Sequence, residues 1–237
     1  TLESILMELS DESWKDAQGL TPFDVLFDNS TALVEKLFEI PKTDLKPLLE
    51  KKSDPLGLSP LQIAFLGNNN TIMKTVLQKT DHAIFDLQDA QGKNPLHYLA
   101  QSSNFTMIAH LKKILQIETS ENKVRRDVFV AAMRQTDIAG LTPLHYLAIK
   151  PKHSSQDEDI FQHLLDFVPE EKAEKLLFLK PISPSGKPPT LLPCLYYAAK
   201  YGKFCILDSM VFKIKDLNLL LKALSCTDDS RKNILHV

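Results

Sequence analysis

Glycine is scarce in this chain, with 7 in 237 residues, and five of the seven (Gly19, Gly57, Gly92, Gly140 and Gly202) stand singly between short apolar stretches. That leaves no glycine-rich loop to cradle a phosphate. No nucleophile elbow or paired-carboxylate motif appears either, so the common signatures of nucleotide-dependent and hydrolytic chemistry are missing. Cysteine is equally sparse. Cys194, Cys205 and Cys226 are odd in number and contain no C-x-x-C pair. They offer neither a disulfide framework nor ligands at metal-site spacing, and are expected to be buried, reduced thiols of an intracellular protein. No apolar run approaches the ~18 residues of a spanning helix. Thr1 to Leu9 holds two acids and no basic region, unlike a signal peptide. The formal net charge of −2 supplies no global field for nucleic acid or an anionic membrane. These absences predict a chain without cofactor, metal, small-molecule substrate, nucleic acid or inserted membrane segment, residing in the cytoplasm.

What is present is a recurring unit. Asp137-Ile138-Ala139-Gly140-Leu141-Thr142-Pro143-Leu144-His145-Tyr146-Leu147-Ala148 reads as a turn followed by a helix start. Gly140 is free to take positive φ in the turn. Thr142 suits an N-cap, and Pro143 fits the first helical position, where a missing N–H costs nothing. The same order recurs at Asp16 to Asp24, Asp54 to Ala64 and Asp89 to Ala100. A degraded copy lies at Leu192 to Gly202, with Cys194 at the proline place, and a sixth begins at Asp228 with Ile234-Leu235-His236-Val237. Positions 22, 60, 95, 143, 194 and 234 are thus separated by 38, 35, 48, 51 and 40 residues. Each interval holds two or three short amphipathic stretches, including predicted helices at Leu2 to Leu9, Thr31 to Phe38, Asp44 to Lys51, Phe105 to Ile117, 121–134, 170–180 and Leu217 to Leu224. A further helix after Gly67 to Asn70 is predicted to be capped by Thr71, and 181–190 reads as a loop. No single unit of this size can bury its own apolar face, so the pattern predicts an all-α stacked solenoid. The units run approximately 14–50, 52–86, 87–134, 135–180 and 186–225, with a truncated sixth from 226. A start at Thr1 and an end inside a motif suggest a fragment of a longer protein.

Gly140-Leu141-Thr142-Pro143-Leu144-His145, Asn94-Pro95-Leu96-His97 and Ser59-Pro60-Leu61 resemble the ankyrin repeat. The resemblance covers nearly the whole chain. It implies antiparallel helix pairs stacked into a curved solenoid, with the Asp-to-Gly turns projecting on one side. These units exceed the usual repeat of about 33 residues, leaving room for a connecting helix before each turn. Long, divergent units rich in Lys, Asn and Ile are also similar to those of secreted effectors of intracellular bacteria, which would place the chain in a host cytoplasm.

His97 and His145, each followed by Tyr, tempt a catalytic reading. As equivalents in successive units they should not converge, and a histidine tying a helix start to the neighbouring turn accounts for both, with His236 a third. Thr21, Ser59, Asn94 and Thr142 read as helix caps. Lys112, Lys113, Lys123, Arg125 and Arg126 form a basic cluster that reads as a solvated helix face, the alternative being a site for an acidic partner or a phosphate. The functional expectation falls on the turns and the exposed ends of the first helices, where the resemblance implies that partners bind. At the turns these residues are Leu20, Leu56, Leu58, Lys93, Ile138 and Leu141; along the first helices they are Leu66, Gln101, Ile149, Lys150 and Tyr201, with Tyr98, Tyr146, Tyr196 and Tyr197 nearby. Apolar turn tips need a cover, either the chain's own connecting helices or a partner protein. The predicted function is a protein-binding scaffold without chemistry of its own. The alternative is a targeting or substrate-recruiting arm of a larger enzyme whose catalytic domain lies elsewhere.

Overall fold

The computed structural model describes residues 2–40, 45–52, 57–67, 69–79, 85–102, 105–116, 120–150, 155–168, 193–227 and 230–236. The expected helix at 170–180, the loop at 181–190, and Leu56 lie outside these residues. Within them every element is a helix or a turn. Five first helices, α2 (Pro22–Asn29), α5 (Pro60–Leu66), α7 (Pro95–Ser102), α10 (Pro143–Ile149) and α12 (Cys194–Lys200), are each followed by a second helix. The second helices are α3 (Thr31–Glu39), α6 (Asn70–Lys79), α8 (Phe105–Gln116), α11 (Ser155–Asp166) and α13 (Phe204–Lys213). Four more α-helices, α1 (Leu2–Leu9), α4 (Lys46–Glu50), α9 (Ser120–Arg134) and α14 (Leu217–Leu224), and two short 3-10 turns, Glu12–Trp14 and Ile234–His236, complete the order among the described residues.

The first helices begin where they do because of a reused cap. The Thr21 hydroxyl accepts the Asp24 N–H at 3.3 Å while the Asp24 carboxylate accepts the Thr21 N–H at 2.9 Å. Ser59 and Gln62 repeat this reciprocal pair at 3.3 and 2.9 Å. In α7 and α10 an imidazole takes the carboxylate's part: His97 Nδ1 accepts the Asn94 N–H at 3.0 Å, and His145 Nδ1 accepts the Thr142 N–H at 3.2 Å. Two orphan amides are satisfied at each such start, worth about 1 kcal/mol per cap. Cys194 stands at the first helical position of α12, where α2, α5, α7 and α10 carry proline. One expected cap moves: Asn69, not Thr71, accepts the Ile72 N–H at 3.2 Å, and α6 starts at Asn70.

Packing then builds two ladders. α2, α5, α7, α10 and α12 lie against one another in succession, as do α3, α6, α8, α11 and α13. Every first helix except the terminal ones therefore has neighbours on both sides, and α7 buries Pro95 through Ala100 without a break. Each fully buried apolar side chain stabilises the stack by roughly 1.5–3 kcal/mol. The extra length of the units goes into connecting helices that join this core: α4 lies on α5, α9 on α8 and α10, and α14 on α12. Phe129 of α9 sits edge-on between Phe85 and Phe167 at 5.4 and 5.1 Å, all three buried. On the second-helix ladder, Lys112 of α8 and Lys213 of α13 reach Asp166 of α11 at 3.1 and 3.9 Å. Lys112 is thus part of an inter-helix tie, whereas the basic cluster was expected to be a solvated face. Cys194 is buried, but Cys205 and Cys226 are only half-buried, because the ladder ends at α13 and α14.

Candidate protein-binding surface

The turns before α2, α7 and α10 are held by one carboxylate each. Asp16 Oδ1 accepts the N–H groups of Gln18 and Leu20, both at 2.9 Å. Asp89 Oδ1 accepts those of Gln91 and Lys93, both at 2.8 Å, and Asp137 Oδ1 that of Leu141 at 2.8 Å. The second carboxylate oxygen anchors the turn to its own helix: Tyr98 Oη donates to Asp89, and Tyr146 Oη donates to Asp137 at 2.6 Å. Both pairs are nine residues apart, a shared offset from which the sequence could have disclosed them. Burial, together with this hydrogen bond and the Asp137 charge, pushes the Tyr146 hydroxyl well above its ordinary pKa.

Successive turns are tied together as well. The Ile138 N–H donates to Gln91 O at 2.8 Å. His97 Nε2 donates to Leu141 O at 3.0 Å, while Nδ1 accepts at its own cap. This is the expected link from helix start to neighbouring turn, and it requires a neutral ring. Burial lowers the His97 pKa to about 4, so the ring is neutral at pH 7. Gln62 Nε2 does the same work one unit earlier, donating to Lys93 O at 2.9 Å and Leu87 O at 3.2 Å. His97 and His145 are both fully buried, at positions a substrate does not reach.

Against this frame the expected contact residues separate. Leu58, one of the turn residues expected to need a cover, is buried in the core of its own chain and has no surface to offer a partner. It lies within a stack of turns close enough that a Cβ at Gly57 would stand 2.9 Å from the Ala90 amide nitrogen. Leu20 is half-buried against the same core, and Leu141 is half-buried. Lys93 is half-buried too, its ammonium 5.8 Å from the ring centre of Tyr98 and 5.3 Å from that of Tyr146. Ile138, by contrast, is 61% exposed at the tip of its turn. Leu66, 51% exposed, ends α5. Gln101 is exposed near the end of α7, Ile149 and Lys150 are half-buried at the end of α10, and Tyr201 is exposed at the end of α12. The first-helix ladder therefore sets Leu66, Gln101, Lys150 and Tyr201 in one row at the C-terminal ends of neighbouring helices. Ile138 and Lys93 lie at the opposite, turn end. Tyr196 is core, while Tyr197 is half-buried with its ring 5.9 Å from that of His145.

No group of three or more metal-ligating side chains comes together among the described residues, and no helix among them is long and apolar enough to cross a membrane. Sequence reasoning passed over the exposed aromatics Trp14 and Phe212, which recur in no other unit, and Phe204, an apolar residue of the fifth unit's second helix, is exposed at its start.

No family model matches the chain. Rabankyrin-5 from Mus musculus is 25% identical over 146 residues, which is 61% of this chain and 11% of that protein. The aligned stretch is thus about a ninth of the relative's length. Among solved structures, an ankyrin repeat domain from Acinetobacter baumannii AYE superposes with a TM-score of 0.56 at 17% identity, covering 90% of each chain. EF0377, an ankyrin repeat protein, gives 0.55 at 15% identity over 89% of each. The recurring turn-and-cap unit, the two helix ladders and these likenesses together show that the chain has the ankyrin-repeat fold.

Proposed function

We propose that the chain binds a protein partner through the row Leu66, Gln101, Lys150 and Tyr201 and the turn residues Ile138 and Lys93. The observation that supports this is selective exposure. The turns before α7 and α10 are tied to their helices and to each other by carboxylate, tyrosine and imidazole bonds, yet Leu66 and Tyr201 face solvent in a row with Gln101 and the half-buried Lys150, and Ile138 faces solvent at its turn. A rigid platform of this kind loses little conformational entropy on binding, and aromatic and leucine anchors ringed by polar groups supply most of the affinity of such contacts. Lys93, pinned above two tyrosine rings, presents a cation of restricted freedom beside them.

The test is partner capture with full-chain variants. Ile138→Asp combined with Leu66→Asp and Tyr201→Ala should lose the partner that the unaltered chain retains, with roughly tenfold or greater weakening per anchor. Leu33→Asp, on the second-helix ladder, should keep it. All four positions are exposed, so the fold should survive, and circular dichroism checks that it does. Retention of every partner by the triple variant would exclude this surface.

A further inference from the structure

The second-helix ladder divides by charge. Its members α3, α11 and α13 carry carboxylates, among them Glu35 and Glu39, Asp159 and Asp166, and Asp208. α6 and α8, which lie side by side in the ladder, carry none. No Asp or Glu occurs in residues 57–80 or in residues 90–117, so the acid-free stretch runs through the helices of two successive units. Lysine is present on both helices. Lys74 of α6 is half-buried and Lys113 of α8 is exposed, and His110 stands three residues before Lys113 on the same helix face.

His110 senses this composition. Its pKa is held below the ordinary histidine value, first by burial and then by the charges of Lys74 and Lys113. The ring's Nε2 is shut off from solvent without a hydrogen-bond partner. A buried N–H without an acceptor costs more than an unused lone pair, so the proton of the neutral ring belongs on Nδ1. Among the described residues, Lys74, Lys113 and His110 form no hydrogen bond or ion pair. Lys112 gives the contrast: one position from Lys113, it reaches across to α11 and bonds Asp166 at 3.1 Å and His163 Nδ1 at 3.0 Å. The rest of the α6–α8 surface is polar, with Thr71, Gln78 and Thr106 exposed. No large exposed apolar side chain lies on either helix among the described residues, which disfavours a membrane or an apolar protein face as the occupant.

We propose that the α6–α8 face binds a phosphate group, held by the ammonium groups of Lys74 and Lys113 with the Nδ1–H of His110 as a third donor. Two cations and a neutral donor suit a group that carries close to two negative charges on three acceptor oxygens. The recognition chemistry is the same for a free phosphate and for a phosphorylated side chain. The site lies on the second helices, so it is independent of the first-helix row proposed to bind a protein partner.

Nuclear magnetic resonance of the whole chain, titrated with inorganic phosphate at pH 7 and constant ionic strength, tests this. The His110 ring signals and the amides of α6 and α8 should shift and saturate. The His110 pKa should rise on binding, because the anion offsets the two cations that depress it. Lys74→Gln and Lys113→Gln should each weaken binding roughly tenfold, the loss of one charge-assisted bond. Lys200→Gln, at an exposed position on α12, should leave binding unchanged. Circular dichroism checks that each variant is folded. A phosphoserine peptide that binds more tightly than both its unphosphorylated form and free phosphate supports the site and makes a phosphorylated protein the source. Saturable binding of free phosphate alone supports it with a small molecule as the source. Shifts that never saturate and spread over lysines throughout the chain overturn the proposal. So do Lys74→Gln and Lys113→Gln variants that bind phosphate as the unaltered chain does.

Discussion

At the scale of single residues, the third position of the first helices α2, α5, α7 and α10 closes the cap, in two of them it also joins the unit to the next, and it carries three kinds of side chain. Asp24, Gln62, His97 and His145 all accept the cap N–H, and Gln62 and His97 also donate to a carbonyl of the following turn. His97→Gln should therefore preserve both bonds and cost less than about 1.5 kcal/mol, whereas His97→Ala loses both and opens a cavity, at about 2–4 kcal/mol. Urea titrations at pH 7 rank the two. The same residue imposes a pH dependence. Its pKa falls from 6.5 to about 4 on burial, so the unfolded chain binds the proton more readily than the folded one. This contribution to stability is whole above the unfolded pKa and drains as pH drops from about 6.5 towards 4, with a slope near 1.4 kcal/mol per pH unit. His97→Gln should remove that slope while leaving stability at pH 7 nearly unchanged. Equal slopes in the two proteins would rule out a neutral buried ring.

At the scale of elements, the turns and the connecting helix α9 hold most of what distinguishes this chain. Gly57 has φ +70° with the Ala90 backbone nitrogen 2.9 Å from where a Cβ would sit, while Gly202 has φ +66° with nothing closer than 3.9 Å. Gly202→Ala should cost only the left-handed backbone term, about 1 kcal/mol, and Gly57→Ala clearly more, because the neighbouring turn must also move. Thermal melts of the two variants give the order directly. α9 is joined to the stack by Asn94, whose Nδ2 donates to Ala132 O and Gln135 Oε1, both at 2.8 Å. Ser59 fills the same cap position one unit earlier, so Asn94→Ser keeps the helix start and severs only the link to α9. The expected cost is about 1–2 kcal/mol, with faster amide exchange confined to Ser120–Arg134. The caps, the turn carboxylates and the helix starts were legible in the sequence because each recurs in a fixed order. The link from Asn94 to α9 was not, since it joins a repeated residue to an insertion found once. The burial of Leu58 was not legible for a related reason: Leu20 and Leu141 follow their turn glycines in the same way and are half-buried, whereas Leu58 is buried.

At the scale of the whole molecule, stability in such a stack is close to a sum of unit terms and nearest-neighbour terms. The neighbour terms are unequal. Between α7 and α10 they include the Ile138–Gln91 backbone bond, the His97–Leu141 bond, the Lys93 ammonium over both tyrosines, and the edge contact of His97 with Tyr146 at 5.7 Å. α7 and α10 also bury six and five residues. At the last end, α13 buries Ile206 and Met210, and Phe204, Phe212, Leu217 and Leu221 on α13 and α14 remain in water. Local opening should therefore start from the ends and reach the middle last. In native-state hydrogen exchange, amides of α7 and α10 should be the slowest, with protection near that of global unfolding, and those of α14 and α13 should open first. Leu147→Ala, in the middle of the first-helix ladder, carries the argument one step further. It should cost about 2–5 kcal/mol and lower the protection of both flanking units, because each shares its interface with α10. If exchange is uniform along the chain, or if Leu147→Ala lowers protection only within α10, the stack behaves as a single cooperative core and the one-dimensional account fails.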